Sequence, residues 1–139
     1  MGQYFIAVNE TSKQFIHPHK FGDGVKFLEF CGSSHGFLAG LAFLMRKGKG
    51  DPNTGQMSWS GENVSIVGDY DVTDLYDKAQ DEFEDVSFKV IEGMANSSGH
   101  MRSMLVKGLD WRRHEGCGAV LADAEERLNY ERIFGKDTK

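Results

Sequence analysis

Three side chains near the N-terminus have the chemistry of metal ligands. His17 and His19 are separated by one residue, and Asp23 follows four residues later. Imidazole nitrogens and carboxylate oxygens both bind Zn²⁺ and similar ions. Alternate residues of a strand point to the same side, so the two imidazoles could bind one ion together. The other interpretation, which we favour, is that both histidines line a polar groove and Asp23 accepts hydrogen bonds from turn amides.

Two aspartates separated by one residue follow an apolar segment in the middle of the chain. Asp69-Tyr70-Asp71 comes after the run 63–67 and has the outline of the first motif of aspartate-nucleophile phosphohydrolases, in which one carboxylate attacks phosphorus and both hold Mg²⁺. Those enzymes need a doubly wound parallel sheet, which three predicted strands do not supply. The simpler interpretation is that Asp69 ends a turn and Asp71 caps the next helix. The enzymatic alternative is a metal-dependent, phosphoesterase-like hydrolase that uses His17, His19, Asp23, Asp69 and Asp71.

A third cluster combines aromatic and basic side chains near the C-terminus. Trp111, Arg112, Arg113 and His114 supply the stacking surface and positive charge that hold a nucleotide or a nucleic acid. The formal net charge of -5 argues against a protein that grips a phosphate backbone. A solvated basic face that balances the acidic stretch 74–85 is the simpler interpretation. Nucleotide or nucleic-acid binding through this cluster is a second alternative.

Motifs that would assign an enzymatic reaction are absent from the sequence. It contains no Walker loop, no dinucleotide fingerprint, no nucleophile elbow and no Cys/His catalytic signature. The two cysteines, Cys31 and Cys117, form neither a disulfide framework nor a metal set, and we expect both to be buried as hydrophobic residues. We therefore expect a binding protein rather than an enzyme, without catalytic residues and without a cofactor.

Length and composition favour one folded domain. With 139 residues, 40% of them hydrophobic and 27% charged, the chain is large enough for a single core and too short for two. The N-terminal apolar run lacks a preceding basic segment and is too short for a signal peptide or a membrane span. We expect a single domain over residues 1–139 that lies in the cytoplasm and has no membrane contact.

The elements that must position these residues follow from the spacing of apolar side chains. Segments 4–9 and 14–20 flank a polar stretch, which predicts an N-terminal β-hairpin whose second strand ends near Pro18. The run 63–67 predicts a third strand. Between them, segment 25–45 predicts a short helix, a break and a second helix that is buried because it is apolar on nearly all sides.

Helical spacing returns after the third strand. Segment 75–94 predicts a helix with a restart near residues 85–87, and segment 119–134 predicts an amphipathic helix. The pattern over 100–109 is compatible with either helix or strand. The predicted fold class is therefore α+β, with a small antiparallel sheet, made of the hairpin and a third strand near 63–68, packed on a buried central helix and further C-terminal helices.

The N-terminal sequence is distinctive when it is read as a string. Met1-Gly-Gln-Tyr-Phe5 is followed by the block Ile16-His-Pro-His-Lys-Phe-Gly-Asp-Gly24 and by Leu28-Glu-Phe30. This pattern resembles a family of small uncharacterised proteins of bacteria, archaea and their phages. The resemblance divides the domain into a family-like part, 1–95, and a C-terminal extension, 96–139.

The resemblance implies a biological context rather than an activity. Small proteins of this distribution often belong to viruses or mobile elements, where many bind a host factor instead of catalysing a reaction. We therefore expect a non-enzymatic protein that engages a host protein, such as a defence component, in the host cytoplasm, with a small nucleotide as an alternative ligand. The contact would involve the Phe21–Gly24 turn, the loop 49–58 or the C-terminal third. Candidate binding residues are His17, His19, Asp23, Asp69, Tyr70, Trp111, Arg112 and Arg113.

Overall fold

The fold consists of a small sheet between helices. A computed structural model describes residues 3–26, 29, 36–46, 58–109 and 124–135. The strands are β1 (Phe5–Asn9), β2 (Gln14–Ile16), β3 (Val64–Gly68) and β4 (Glu84–Asp85). A 3-10 helix spans Pro18–Phe21, and the α-helices are α1 (Phe37–Leu44), α2 (Leu75–Glu82), α3 (Ser87–Ser97), α4 (Gly99–Gly108) and α5 (Ala124–Phe134). The predicted α+β class is confirmed.

The sheet has the strand order β3-β1-β2-β4. Its central strand β1 is antiparallel to both neighbours, as predicted, and Ala7 pairs with Ile16 of β2 and with Ile66 of β3. The fourth strand was not predicted: β4 runs parallel to β2, and Gln14 pairs with Glu84, so the sheet is mixed and not wholly antiparallel as predicted. Two acidic residues have no strand signature in the sequence.

Both faces of β1 are buried, so the sheet forms the middle of three layers. Ile6 and Val8 point to one face, where they pack against Ala79 of α2. Ala7 points to the opposite face and shares with Ile16 the larger core, to which α1, α3, α4 and α5 contribute. Alternation of side chains along a strand produces this division. The helix α2 therefore covers one face of the sheet, and the other four α-helices pack on the opposite side.

Helix α1 is packed closely against the turn that follows β2. It begins at Phe37 and ends at Leu44, so it starts later and ends earlier than the sequence pattern indicated. Phe21 lies edge-on to Phe37 with ring centroids 6.2 Å apart. A Cβ at Gly40 would overlap the Phe21 ring, so the absence of a side chain there allows the contact. The interruption predicted at 32–34 lies outside the described residues.

The C-terminal helices contribute to the same core as the N-terminal strands. Leu105 and Leu109 from the region of α4, and Tyr130 from α5, are buried in the cluster that also contains Ala7. The Tyr130 hydroxyl donates a hydrogen bond to the carbonyl oxygen of Lys20 (2.7 Å). Segment 100–109, which the sequence left open, is helical up to Gly108. None of the helices in the described ranges has the length and apolar character that a membrane span requires.

A close backbone approach joins the turn after β2 to the end of α4. Gly22 has a left-handed backbone with φ of 81°. A Cβ at this position would lie 2.6 Å from the carbonyl oxygen of Gly108. Two independent constraints therefore require glycine here, namely the positive φ and the missing space.

Gly22→Ala should destabilise the protein more than Gly61→Ala. Gly61 has the same φ of 81°, but nothing lies within 4 Å of a Cβ at that position. The Gly61 variant should lose about 1–2 kcal/mol of unfolding free energy from the backbone conformation alone, and the Gly22 variant should lose more because the Gly108 carbonyl must move. Urea unfolding of both variants measures the difference. Equal losses would show that the close approach to Gly108 is unimportant.

Candidate functional site

The two predicted histidines lie together, but on a turn rather than on a strand. Strand β2 ends at Ile16, and His17 is the N-cap of the 3-10 helix that begins at Pro18. The Nδ1 atom of His17 accepts a hydrogen bond from the backbone N–H of His19 (3.2 Å). The two rings are tilted by 50°, with centroids 5.1 Å apart. His17 therefore has a structural role as a cap.

A serine, a histidine and an aspartate meet beside this turn in a structural arrangement. The Ser87 hydroxyl accepts a hydrogen bond from the backbone N–H of His17 (2.9 Å), and the Asp85 carboxylate accepts one from the N–H of Ser87 (2.9 Å). Asp85 also forms an ion pair with Lys20. Ser87 is completely buried, so its hydroxyl is not placed to attack a substrate. The sequence had indicated this region only as a helix restart.

Asp23 is buried and caps helix α1. Its side chain is 7% exposed, and its Oδ2 atom accepts a hydrogen bond from the backbone N–H of Phe37 (2.6 Å). The N-cap residue itself is Gly36, which has no side chain to offer. A carboxylate at this position satisfies an amide that the helix leaves unpaired and interacts favourably with the helix dipole. The sequence predicted that Asp23 accepts hydrogen bonds from turn amides, whereas the amide in this contact belongs to the start of α1, 14 residues further along the chain.

The described ranges contain no metal-binding cluster. No group of three or more His, Cys, Asp or Glu side chains within them is placed to hold an ion. His35 and the two cysteines lie outside the described residues. His17 and Asp23, two of the three proposed ligands, are instead engaged in capping contacts.

Asp69 and Asp71 are bound to the backbone at the end of β3. Asp69 Oδ1 accepts from the N–H of Tyr4 (3.0 Å), and Asp71 Oδ2 accepts from the N–H of Gly68 (2.7 Å). Asp71 Oδ1 also accepts from the side chain of Gln3 (2.8 Å). Asp71 thus closes the turn after β3 and does not cap α2, which starts at residue 75 and whose N-cap side chain makes no capping bond.

The histidine segment and the aspartate pair lie at the same end of the sheet, after strands that β1 separates. The C-terminal ends of β2 and β3 both flank the start of β1. Because β1 lies between them, the two strand ends are about 10 Å apart, or two interstrand spacings. The sheet is also not doubly wound, since β1 runs antiparallel to both neighbours. This topology is not the scaffold that the phosphohydrolase motif requires.

Backbone groups on the outer edge of β3 point away from β1. Hydrogen bonds from Asp69 N to Tyr4 O and from Glu10 N to Asn63 O, both 3.0 Å, show that the odd-numbered residues from 63 to 69 face β1. The N–H and C=O groups of Val64 and Ile66 therefore point outward. Neither residue has a partner for these groups in the part of the chain that the structure describes.

Apolar side chains surround this edge. Ile66 is 37% exposed, Tyr70 is 66% exposed and Val72 is fully exposed. Of the candidate binding residues in the described ranges, Tyr70 is the most accessible. The run 63–67 had predicted a strand, but sequence alone did not show that it would lie at an edge, because edge position depends on the order of all four strands.

The charges beside β3 are negative. Burial raises the pKa of Tyr76, and the carboxylates of Asp69 and Asp77 raise it further. These carboxylates therefore lie close enough to the Tyr76 hydroxyl to oppose its ionisation, on the side of the sheet that α2 covers.

Two further candidate regions lie wholly or mostly outside the described residues. Trp111, Arg112 and Arg113 lie outside the described residues, and so does the loop 49–58 apart from Ser58. The turn Phe21–Gly24, in contrast, is described and is largely packed inside the protein.

Comparisons with known proteins give no match. No protein-family model fits the chain, and neither a curated protein nor a solved structure matches it. The functional proposal therefore depends on the geometry of the described residues.

Asp23→Ala should destabilise the fold by about 1–3 kcal/mol, because the buried N–H of Phe37 loses its acceptor. Asp23→Asn keeps an acceptor oxygen and should cost less. Guanidinium unfolding followed by the fluorescence of the buried Trp59 compares the two variants. A loss in Asp23→Ala no larger than that in Asp23→Asn would contradict the capping role.

Asp71 should make a pH-dependent contribution to stability. The backbone N–H of Gly68, and secondly the side chain of Gln3, lower the pKa of Asp71 below its ordinary value of 3.8. The stabilisation is therefore fully present above pH 3.8 and is lost as the pH falls through the lower folded-state value. The stability difference between the wild type and Asp71→Asn should shrink on acidification when urea midpoints at pH 6 and pH 3 are compared. Asp74→Asn, at a side chain without a capping bond, is the control.

Proposed function

We propose that this chain is a protein-binding module that adds an extended strand of its partner to the outer edge of β3. The observation that carries the proposal is the set of outward backbone groups on Val64 and Ile66, which have no partner in the described ranges. Strand addition satisfies such groups with main-chain hydrogen bonds from the ligand. Two residues whose N–H and C=O groups both point outward supply four such bonds.

The composition of β3 supports this proposal. Exposed edges are usually protected by lysine, proline, a bulge or a very short strand, because an open edge invites pairing with other chains. The sequence Val64-Ser-Ile-Val-Gly68 contains neither lysine nor proline, and its pairing with β1 runs without a bulge over five residues. The opposite edge strand, β4, has only two residues, both of them acidic. The contrast between the two edges favours β3 as the binding edge.

Side chains near the edge would add apolar contact to the main-chain bonds. Ile66 projects on the same face as its pair Ala7 and is partly exposed beyond the covering helices. Tyr70 and Val72 extend the apolar surface past the end of β3. Aromatic side chains such as Tyr70 are enriched in protein interfaces because they bury a large area and keep a polar tip.

The partner that we propose is a host protein, met in the host cytoplasm. The resemblance of the N-terminal sequence to phage and mobile-element proteins supports this choice. Tyr70 and Asp69, both candidates from the sequence, adjoin the proposed edge. The turn that contains the two histidines has a structural role and is not part of the proposed edge.

The proposal is tested with eight-residue strand-forming peptides that alternate isoleucine with lysine, threonine or glutamate. At least one peptide should protect the amides of Val64 and Ile66 from hydrogen exchange measured by NMR. Ile66→Pro removes one outward N–H without removing a bond to β1, and it should weaken binding roughly tenfold. Protection of neither amide by any peptide would overturn the proposal.

A second variant tests the same edge in case the proline variant does not fold. Ile66→Lys keeps the backbone N–H and places a charge on the edge, which should also weaken binding. Val106→Lys is the matched control, since Val106 on α4 is 38% exposed, close to the 37% of Ile66. Equal affinities in the Ile66→Lys and Val106→Lys proteins would locate the binding surface elsewhere.

A further inference from the structure

The charges that flank β3 restrict the chemistry of the strand that it takes up. Between Ser58 and Asp77 the chain has no lysine and no arginine. The acidic residues of this stretch are Glu62, Asp69, Asp71, Asp74 and Asp77. Carboxylates therefore stand at both ends of this edge, where they would repel an acidic partner strand.

Two described lysines lie on segments next to these carboxylates. Lys26 forms an isolated β-bridge with Tyr4. On its other side, Tyr4 accepts a hydrogen bond from the N–H of Asp69 at the end of β3. Tyr4 therefore lies between Lys26 and β3. Lys78 lies on α2 in a surface depression of about 340 Å³, where it is the single cation among four carboxylates. Among the described residues, the five carboxylates of the stretch 58–77 outnumber these two lysines.

The two faces of the sheet differ at this edge. Side chains of an added strand that lie beside Val64 and Ile66 share the face of Ala7, which is apolar. Side chains beside Ser65 share the opposite face, which α2 covers. The carboxylates of Asp69 and Asp77 act on Tyr76 from that second side.

We infer that the strand bound at β3 alternates apolar residues with lysine or arginine, with the apolar side chains beside Ile66 and the cationic ones on the α2 side near Asp69 and Asp77. This inference rests on the proposed strand addition and specifies its ligand. The alternation follows from the pleat, which sends successive side chains to opposite faces. Main-chain hydrogen bonds hold the added strand on β3. The charges determine which strands bind, and they increase the rate at which such a strand associates with the edge.

The isoleucine peptides that alternate with lysine, threonine or glutamate also test this inference. The lysine peptide should bind at least tenfold more tightly than the glutamate peptide in 50 mM NaCl, and the threonine peptide should lie between them. In 500 mM NaCl the three affinities should converge, because screening shortens the range of the interaction. Isothermal titration calorimetry gives the dissociation constants.

Asp77→Asn locates the cationic side of the ligand. This variant should weaken binding of the lysine peptide about two- to fivefold, the range expected of an exposed ion pair. Asp81→Asn, one helical turn further along α2 and away from β3, should leave the affinity unchanged. Asp77 and Asp81 are both exposed, so neither change should disturb the fold.

Three outcomes would overturn the inference. Equal binding of lysine and glutamate peptides, with the Val64 and Ile66 amides protected, would remove the charge selection and leave strand addition intact. Failure of all three peptides to protect these amides would remove both. Self-association of the wild type in sedimentation experiments, lost in Ile66→Pro, would identify a second copy of the chain as the occupant of the edge.

Discussion

The buried carboxylate of Asp23 determines how the helices meet the sheet. It accepts the first N–H of α1, whose N-cap glycine cannot do so, and it stands in the same turn as Gly22 and Phe21. Phe21 packs against α1, and Gly22 lies against the end of α4. One short turn therefore contacts two helices, and its Phe21 belongs to the larger core.

The residues whose types suggested ligand binding or catalysis instead stabilise this framework. His17 caps the 3-10 helix, Asp23 caps α1, and Asp71 closes the turn after β3. Each of these side chains accepts a hydrogen bond from a backbone N–H. Polar residues placed between strands and helices are commonly needed for this purpose, because element ends leave backbone groups without partners. Their chemistry is that of ligands and catalysts, but their contacts here are structural.

Sequence patterns predicted the parts of the fold that depend on local spacing. The hairpin 4–9 and 14–20, the strand 63–67 and the helix restart near 85–87 all follow from apolar alternation or its interruption. Strand β4 could not be predicted from local spacing, because it joins the sheet through long-range backbone bonds. The N–H groups of Glu84 and Val86 donate to two carbonyl oxygens, one in β2 and one in the residue that precedes β2. The open edge could not be predicted either. Whether β3 has one neighbour or two depends on long-range strand order, which local spacing does not contain.

The inequality of the two sheet edges sets a limit on assembly. The β4 edge is two residues long, and its side chains are engaged with cations, Glu84 with Lys89 and Asp85 with Lys20. A strand received at β3 would therefore find no equivalent acceptor on the far side of the same molecule. Head-to-tail pairing of β3 with the β4 edge of another copy is therefore disfavoured, which opposes growth into open-ended fibres.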